Sequence, residues 1–397
     1  SRELLAPDQE STPAASTPEP LFLNLFPDVN LQVAFSDRHG NISGGMTWTG
    51  KVEGVDNSLV LLVINDGIMI GNITVGEKQY AVRYVGNKRH VIHEIVQTGF
   101  PSEADPDPVE YPPFIPSADP SPPARDDLNA LDTTVLDGRE TKRVIDVMVV
   151  YTTAARINQG GTTAIRNLIA LAVAETNTGY NNSGINQELN LVHTAEVSYT
   201  ESGDIALDRD RLKNPSDGYM DTVHSLRDTY DADLVPLIVD NGGGYCGIAY
   251  IMTTVTPQFE DSGFCVVADE CATGYYSFGH ELGHIMGARH DWYVDSTDNS
   301  PYTYNHALTN TTDSWRTVMA YNDACVDGGG SCTRLLYWSN PDETHGGDAM
   351  GTREGELEAK DNRKTLANTG FVVANFRVKD TSAEPSREFP SGAIPDN

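Results

Sequence analysis

Nine prolines, interspersed with acidic residues, fall from Pro101 to Pro123, and a packed core does not run through such a stretch. Proline offers no backbone N–H and fixes its own φ, so residues 99–141 read as an extended linker. Whether this linker is an activation site open to proteases or a plain spacer, the pattern leaves undecided. Residues 1–20 hold four further prolines with Ser, Thr and Glu, and residues 379–397 return to the same composition. Both ends read as disordered. Two blocks remain, 21–98 and 142–378.

The first block carries short runs rich in Val, Ile and aromatic residues: Leu31–Phe35, Thr47–Val52, Leu59–Ile64, Ile68–Val75 and Tyr80–Val85. Turn pairs such as Asp66-Gly67 and Gly86-Asn87 separate them, so a small all-β domain is expected. The second block opens on Val144–Tyr151, nearly all apolar, as a buried strand requires. Ile165, Leu168, Ile169, Ala172 and Val173 then recur at helical spacing, giving a helix over about Thr162–Tyr180. Leu189–Val197 reads as a strand, Asp217 to about Tyr230 as a helix, and Leu234–Val239 as a further buried strand. This order predicts an α+β domain, a twisted mixed sheet with helices packed over it.

Charge limits the partners. There are 57 Asp and Glu against 27 Lys and Arg, a net charge of −30. Such a surface disfavours nucleic acid and anionic membranes and suits a monomer kept soluble by self-repulsion. Apolar runs such as Leu59–Ile64 are too short to cross a bilayer. Ser1 opens the chain with no basic-then-apolar leader, so either a signal peptide has been removed or the sequence lacks one. All five cysteines lie beyond residue 245, at 246, 265, 271, 325 and 332. Cys325 and Cys332 flank a glycine-rich loop that can close into a disulfide, and oxidised pairs place a protein outside the cytosol. A secreted protein is expected.

Residues 280–291 read His-Glu-Leu-Gly-His-Ile-Met-Gly-Ala-Arg-His-Asp. Histidines four apart on a helix lie nearly above one another, so His280 and His284 can present neutral imidazoles to one zinc ion. Glu281 can reach a water at that ion without becoming a ligand. Gly287 can end the helix in a left-handed turn that returns His290 as a third ligand. The fourth position stays open, as in a catalytic rather than a structural zinc site.

The run from His280 to His290 resembles the long zinc motif of the metzincin metalloendopeptidases. Asp291 directly after it resembles the adamalysin-like, or reprolysin-like, branch. Val318-Met319-Ala320-Tyr321 resembles the methionine turn of that clan, which implies that Met319 forms an apolar floor under the histidines. Tyr321 resembles the tyrosine that astacins and serralysins bring to the metal or oxyanion, a feature adamalysins lack. Cys246-Gly-Ile-Ala-Tyr250 and Cys271-Ala-Thr-Gly-Tyr-Tyr-Ser-Phe-Gly279 resemble the bacterial peptidyl-Asp metallopeptidase group, covering about residues 142–378. That resemblance implies a Cys246–Cys271 pair, which leaves Cys265 as the odd thiol. It also implies a metzincin-type catalytic domain, with the 21–98 block as a prodomain that inhibits it or helps it fold.

The implied chemistry is hydrolysis of peptide bonds by a zinc-activated water, with Glu281 as base and then acid, and Tyr321 beside the oxyanion. Asp291 is expected to fix the turn from behind. Metzincins bind substrate along an edge strand, for which Phe264–Ala268, with Phe264, Cys265 and Val266, is the candidate. Arg334 is the candidate for selecting an acidic side chain after the cut. Latency cannot use a cysteine, because residues 1–141 hold none. Glu103, Asp105 or Asp107 of the linker, or His39, His90 or His93, are candidates to occupy the open metal position, against simple steric blocking. Calcium stays open, since Asp and Asn are plentiful but no EF-hand loop appears. Two rivals remain: a catalytically silent zinc-binding adhesion or toxin module, and a zinc amidohydrolase that does not act on proteins. The presence of Glu281 speaks against the first, and the methionine turn with the third histidine against the second.

Overall fold

The computed structural model describes residues 20–111 and 142–377. The expected lead-in apart from Pro20, the linker from residue 112 onward and the tail lie outside the described residues. Two compact units are present. Among the described residues, one holds 20–96 together with 159–174, and the other holds 97–111, 142–158 and 175–377.

The first unit is a seven-stranded antiparallel meander in which each strand pairs with the next. Its strands are β1 (Leu21–Phe26), β2 (Val29–Gly40), β3 (Met46–Val52), β4 (Ser58–Asn65), β5 (Ile68–Val75), β6 (Lys78–Tyr84) and β7 (His90–Glu94). Alternate residues point to one face, and Leu25, Val33, Val52, Val60, Leu62, Ile73, Tyr80 and Val82 bury together there. The tight β4–β5 hairpin turns at Asp66-Gly67, both with positive φ, as the sequence pattern requires.

The second unit is built on a six-stranded sheet in the order β10-β9-β11-β13-β12-β8. Its strands are β8 (Asp107–Val109), β9 (Arg143–Thr152), β10 (Gln187–Val197), β11 (Val235–Val239), β12 (Gly247–Met252) and β13 (Phe264–Ala268). Strands β10, β9, β11 and β13 are mutually parallel, and β12 runs antiparallel to β13. The central strands are apolar on both faces because both are covered, as the run Val144–Tyr151 predicts. Its helices include α1 (Thr153–Asn158), α3 (Ile205–Lys213), α4 (Thr222–Thr229) and α5 (Ser277–Ile285), while α2 (Thr162–Asn182) is divided between the units, with residues 162–174 in the first. Helix α4 starts later than expected, since Gly218 N–H donates to the Asp221 carboxylate in a turn ahead of it. No helix among the described residues is long and apolar enough to cross a membrane.

Asp233 ties three segments of this unit together. Its Oδ2 accepts the Asp146 N–H at 2.8 Å and its Oδ1 accepts the Arg377 N–H at 3.0 Å. Burial pushes its carboxyl up to about 7. Disulfides join Cys246 to Cys271 and Cys325 to Cys332, with Cα separations of 5.4 and 5.8 Å, and Cys265 is a buried free thiol.

Two expectations change. Strand Phe264–Ala268 is not an edge, because β11 and β12 flank it and enclose Phe264, Cys265 and Val266. The outer strand of the apolar sheet is β12. Its far side is not free either. The first part of the expected linker is ordered along it, with β8 pairing parallel to Tyr250–Met252. Cys246 N–H donates to Ser102 O at 2.9 Å, and Ala104 N–H donates to Gly247 O at 2.9 Å. An uncovered strand edge leaves backbone donors and acceptors unpaired, and this segment satisfies them. Its prolines are tolerated because β8 is itself the last strand.

Candidate metal centre

Helix α5 carries three ionisable side chains, His280, Glu281 and His284, and every one of its residues is buried. It ends in a Schellman arrangement: Gly287 N–H donates to His284 O at 2.8 Å, and Ala288 N–H donates to Gly283 O at 2.9 Å. Gly287 sits at φ +84°, a left-handed conformation that residues with a Cβ avoid. The reversal brings His290 back over the helix.

The three Nε2 atoms converge, at 3.1 Å between His280 and His284, 3.0 Å between His284 and His290, and 3.2 Å between His280 and His290. His280 Nδ1–H donates to Val318 O at 3.0 Å and His284 Nδ1–H donates to Ala288 O at 2.8 Å. These bonds put the proton on Nδ1 and leave the Nε2 lone pair facing its neighbours. Burial, first of all, drives the three imidazoles toward the neutral form, with His284 lowered to about 3. Three lone pairs crowded together in a buried space repel unless a cation lies among them. The donor set therefore fits a metal ion.

Glu281 supplies the second sign of a reactive site. Neither of its buried carboxylate oxygens has a hydrogen-bond partner among the described residues, an arrangement that is costly unless a ligand or water completes it. Burial, and then the nearby charge of Glu103, raise its pKa well above the usual carboxylate range. Gly247 of β12 makes room for it, since a Cβ there would lie 2.5 Å from Glu281 Oε1. Below the helix, Met319 is fully buried, and a Cβ added at Gly283 would meet its Sδ at 2.7 Å. Asp291 Oδ2 accepts the Tyr321 N–H at 2.8 Å and Oδ1 accepts the Tyr293 N–H at 3.1 Å, so it links the end of the histidine loop to the segment holding Met319. The Tyr321 ring lies 4.0 Å from that of His290, and its hydroxyl donates to Glu103 O at 2.9 Å.

Residues 141–335 match the family model described as Metallo-peptidase family M12. The chain is 39% identical over 326 residues to the "Peptidyl-Asp metalloendopeptidase" of Stenotrophomonas maltophilia strain K279a, covering 81% of this chain and 71% of that one. The chain belongs to metallopeptidase family M12. A protein of the same name from Xanthomonas campestris pv. campestris is 37% identical, over 82% of this chain and 72% of that one. Among solved structures, the metalloproteinase-II crystal structure from Bacteroides fragilis aligns at TM-score 0.40 and 11% identity, over 70% of this chain and 81% of that one. That likeness is too distant to bear on the site.

Beside the metal centre, this metallopeptidase buries a second charged cluster. Arg334 Nη1 lies 2.7 Å from Glu103 Oε1 and donates to Tyr275 O at 3.0 Å. Its guanidinium sits 4.2 Å over the Tyr275 ring. Ser277 Oγ donates to the same Glu103 oxygen at 2.8 Å. Strands β14 (Thr309–Asn310), β15 (Trp315–Arg316) and β16 (Thr333–Arg334) form a small sheet that sets Arg316 opposite Arg334.

The candidate latency acids part company here. Asp107 pairs with Arg209 of α3 at 2.5 Å, away from the histidines, and Asp105 is exposed. Glu103 is directed to Arg334 and Ser277 instead of joining the histidine cluster, because a buried guanidinium is the stronger partner for its charge. His39 lies on β2 and His90 and His93 on β7 of the first unit, outside the histidine cluster. Sequence reasoning passed over Gly247, Tyr275, Ser277 and Arg209 as contributors. For the first three the signal was present in the two cysteine-bearing segments already singled out.

Proposed function

We propose that this metallopeptidase is a zinc endopeptidase of the metzincin type, exported from a bacterial cell and held as a zymogen until its linker is cut. The observation that carries the reading is the convergence of three neutral imidazoles beside the unpartnered, buried Glu281 carboxylate. Three nitrogen donors without a thiolate suit zinc with an open position. Zinc, when bound, supplies a Lewis acid that polarises the scissile carbonyl and activates water near neutral pH.

His280, His284 and His290 hold the ion, and the bonds from Nδ1 of His280 and His284 to backbone carbonyls keep those two rings aimed. Glu281 takes the proton of the attacking water on its carboxylate and returns it to the departing amine. Tyr321 already holds a peptide carbonyl, that of Glu103, through its hydroxyl. The same O–H is the donor for the developing oxyanion of a substrate. Met319 and Asp291 position the histidine loop from below and behind. Arg334 selects an acidic side chain at the residue after the cut, in line with the printed names of the relatives and with its grip on a carboxylate. The edge for substrate is β12, to which an extended peptide adds by main-chain bonds. Two disulfides support export.

The test is hydrolysis of an aspartate-containing peptide by the protein cut within residues 112–141, with and without chelator, beside Glu281→Gln. Hydrolysis that survives the chelator, or full turnover in Glu281→Gln, rejects the reading.

A further inference from the structure

The segment Gln97–Val109 is held by contacts that a bare spacer has no reason to make. Its backbone runs along β12 through Ser102 O, Ala104 N–H and β8. At its start, Gln97 Nε2 donates to Arg334 O at 3.0 Å, Arg334 N–H donates to Gln97 Oε1 at 2.6 Å, and Phe100 stacks on Tyr275 at 4.6 Å. At its end, Arg209 bridges Asp107 to Ala249 O of β12. Between these anchors Glu103 turns inward. Its side chain is 0% exposed and that of Arg334 1%. One oxygen is bound by Arg334 and Ser277, and its backbone carbonyl is bound by Tyr321. The other oxygen, Oε2, is buried with no hydrogen-bond partner among the described residues, as is Arg334 Nε. The fit is that of a replaceable ligand whose host keeps unused donor capacity.

We propose that Glu103 is a built-in occupant of the acidic-side-chain pocket of Arg334 and Ser277, and that residues 102–109 lie on β12 as an internal pseudo-substrate. The inference rests on the peptidase reading above, and on Arg334 as its specificity residue. It replaces the idea of a linker acid on the metal: latency comes from filling the specificity pocket and the substrate edge together. The segment runs parallel to β12, so its Glu103 carboxylate and carbonyl reach the pocket and Tyr321 from a strand that pairs through only a few backbone bonds. A strand so lightly paired can leave once the chain beyond it is cut, because its local concentration then falls.

The experiment uses the full chain carrying Glu281→Gln and a fluorescent peptide with one central aspartate, read by anisotropy. Adding Glu103→Ala should tighten peptide binding at least tenfold, and the asparagine version of the peptide should gain less than twofold. Amide exchange at Ala104 and Cys246 should quicken in the same variant. Glu103→Gln, which keeps the shape and the Ser277 bond, should show a smaller gain and guards against misfolding of the alanine variant. Unchanged affinity in both folded variants overturns the proposal, as does an equal gain for the aspartate and asparagine peptides. Failure of the peptidase reading shows itself elsewhere, as absent chelator-sensitive cleavage by the cut protein with Glu281 intact.

Discussion

Arg334 and Glu103 form an ion pair at 2.7 Å with both side chains out of contact with water, 231 residues apart in the chain. A pair of this kind is costly to bury and more costly to break on one side, because the remaining charge has no solvent to turn to. Arg334→Met in the uncleaved protein should therefore destabilise it by about 3–5 kcal/mol. The joint Arg334→Met and Glu103→Met change should recover much of that loss. Urea unfolding of the single and double variants measures both, and a double variant as unstable as the single one contradicts the argument.

His290→Ala removes one of three donors and should abolish stoichiometric metal, whereas Glu281→Gln should keep the metal and lose activity by roughly 100- to 10,000-fold. Metal analysis and peptide hydrolysis on the same samples separate these outcomes. Metal loss in Glu281→Gln would count against its place outside the donor set.

Gly247→Ala introduces a carbon 2.5 Å from Glu281 Oε1. The carboxylate must shift, so turnover should drop at least tenfold while metal content stays near one per chain. Unaltered turnover would mean that Glu281 needs no fixed position.

Asp233 carries a pH dependence of stability. Its carboxyl titrates near 7 when folded, above its ordinary value of 3.8, so the folded state holds the proton more tightly. The resulting stabilisation is complete below about pH 4 and is lost as pH rises through 7, on the order of 4 kcal/mol. Asp233→Asn should flatten the fall in stability between pH 5 and pH 8, read by urea midpoints at the two values. An equal fall in both proteins removes Asp233 as the source.

Met319→Ala leaves a hole beneath the histidines and should cost about 2–5 kcal/mol. It should also speed metal release to a chelator. Unchanged stability would show that neighbouring side chains, such as Trp338, whose ring a Cβ at Gly283 would also meet, collapse into the space.

The metal-binding part of the site was legible because it is local. His280 and His284 sit four apart on one helix, and Gly287 marks the turn that returns His290, so neighbouring residues carry the geometry. Met319 and Tyr321 were expected near that motif only through the resemblance of Val318-Met319-Ala320-Tyr321 to a methionine turn. The order of strands could not. Apolar runs announce that β11 and β13 are buried, but a buried run says nothing about which strand lies beside it. β12, outermost of the three, follows β11 in the chain yet pairs only beyond β13. Taking Phe264–Ala268 for the edge was the result.

The amino-acid sequence by itself determined the two kinds of domain, the three imidazoles and the carboxylate among them, since helical and strand periodicity and a glycine turn act over a few residues. Only the tertiary structure decided that Glu103 meets Arg334 and that residues 102–109 cover β12. Those contacts depend on closing long loops, 231 residues between Glu103 and Arg334 and more than a hundred between the segment and β12, and many acids and arginines along the chain carry the same charges. Burial selected this pair, because an edge strand needs backbone partners and a buried guanidinium needs a carboxylate.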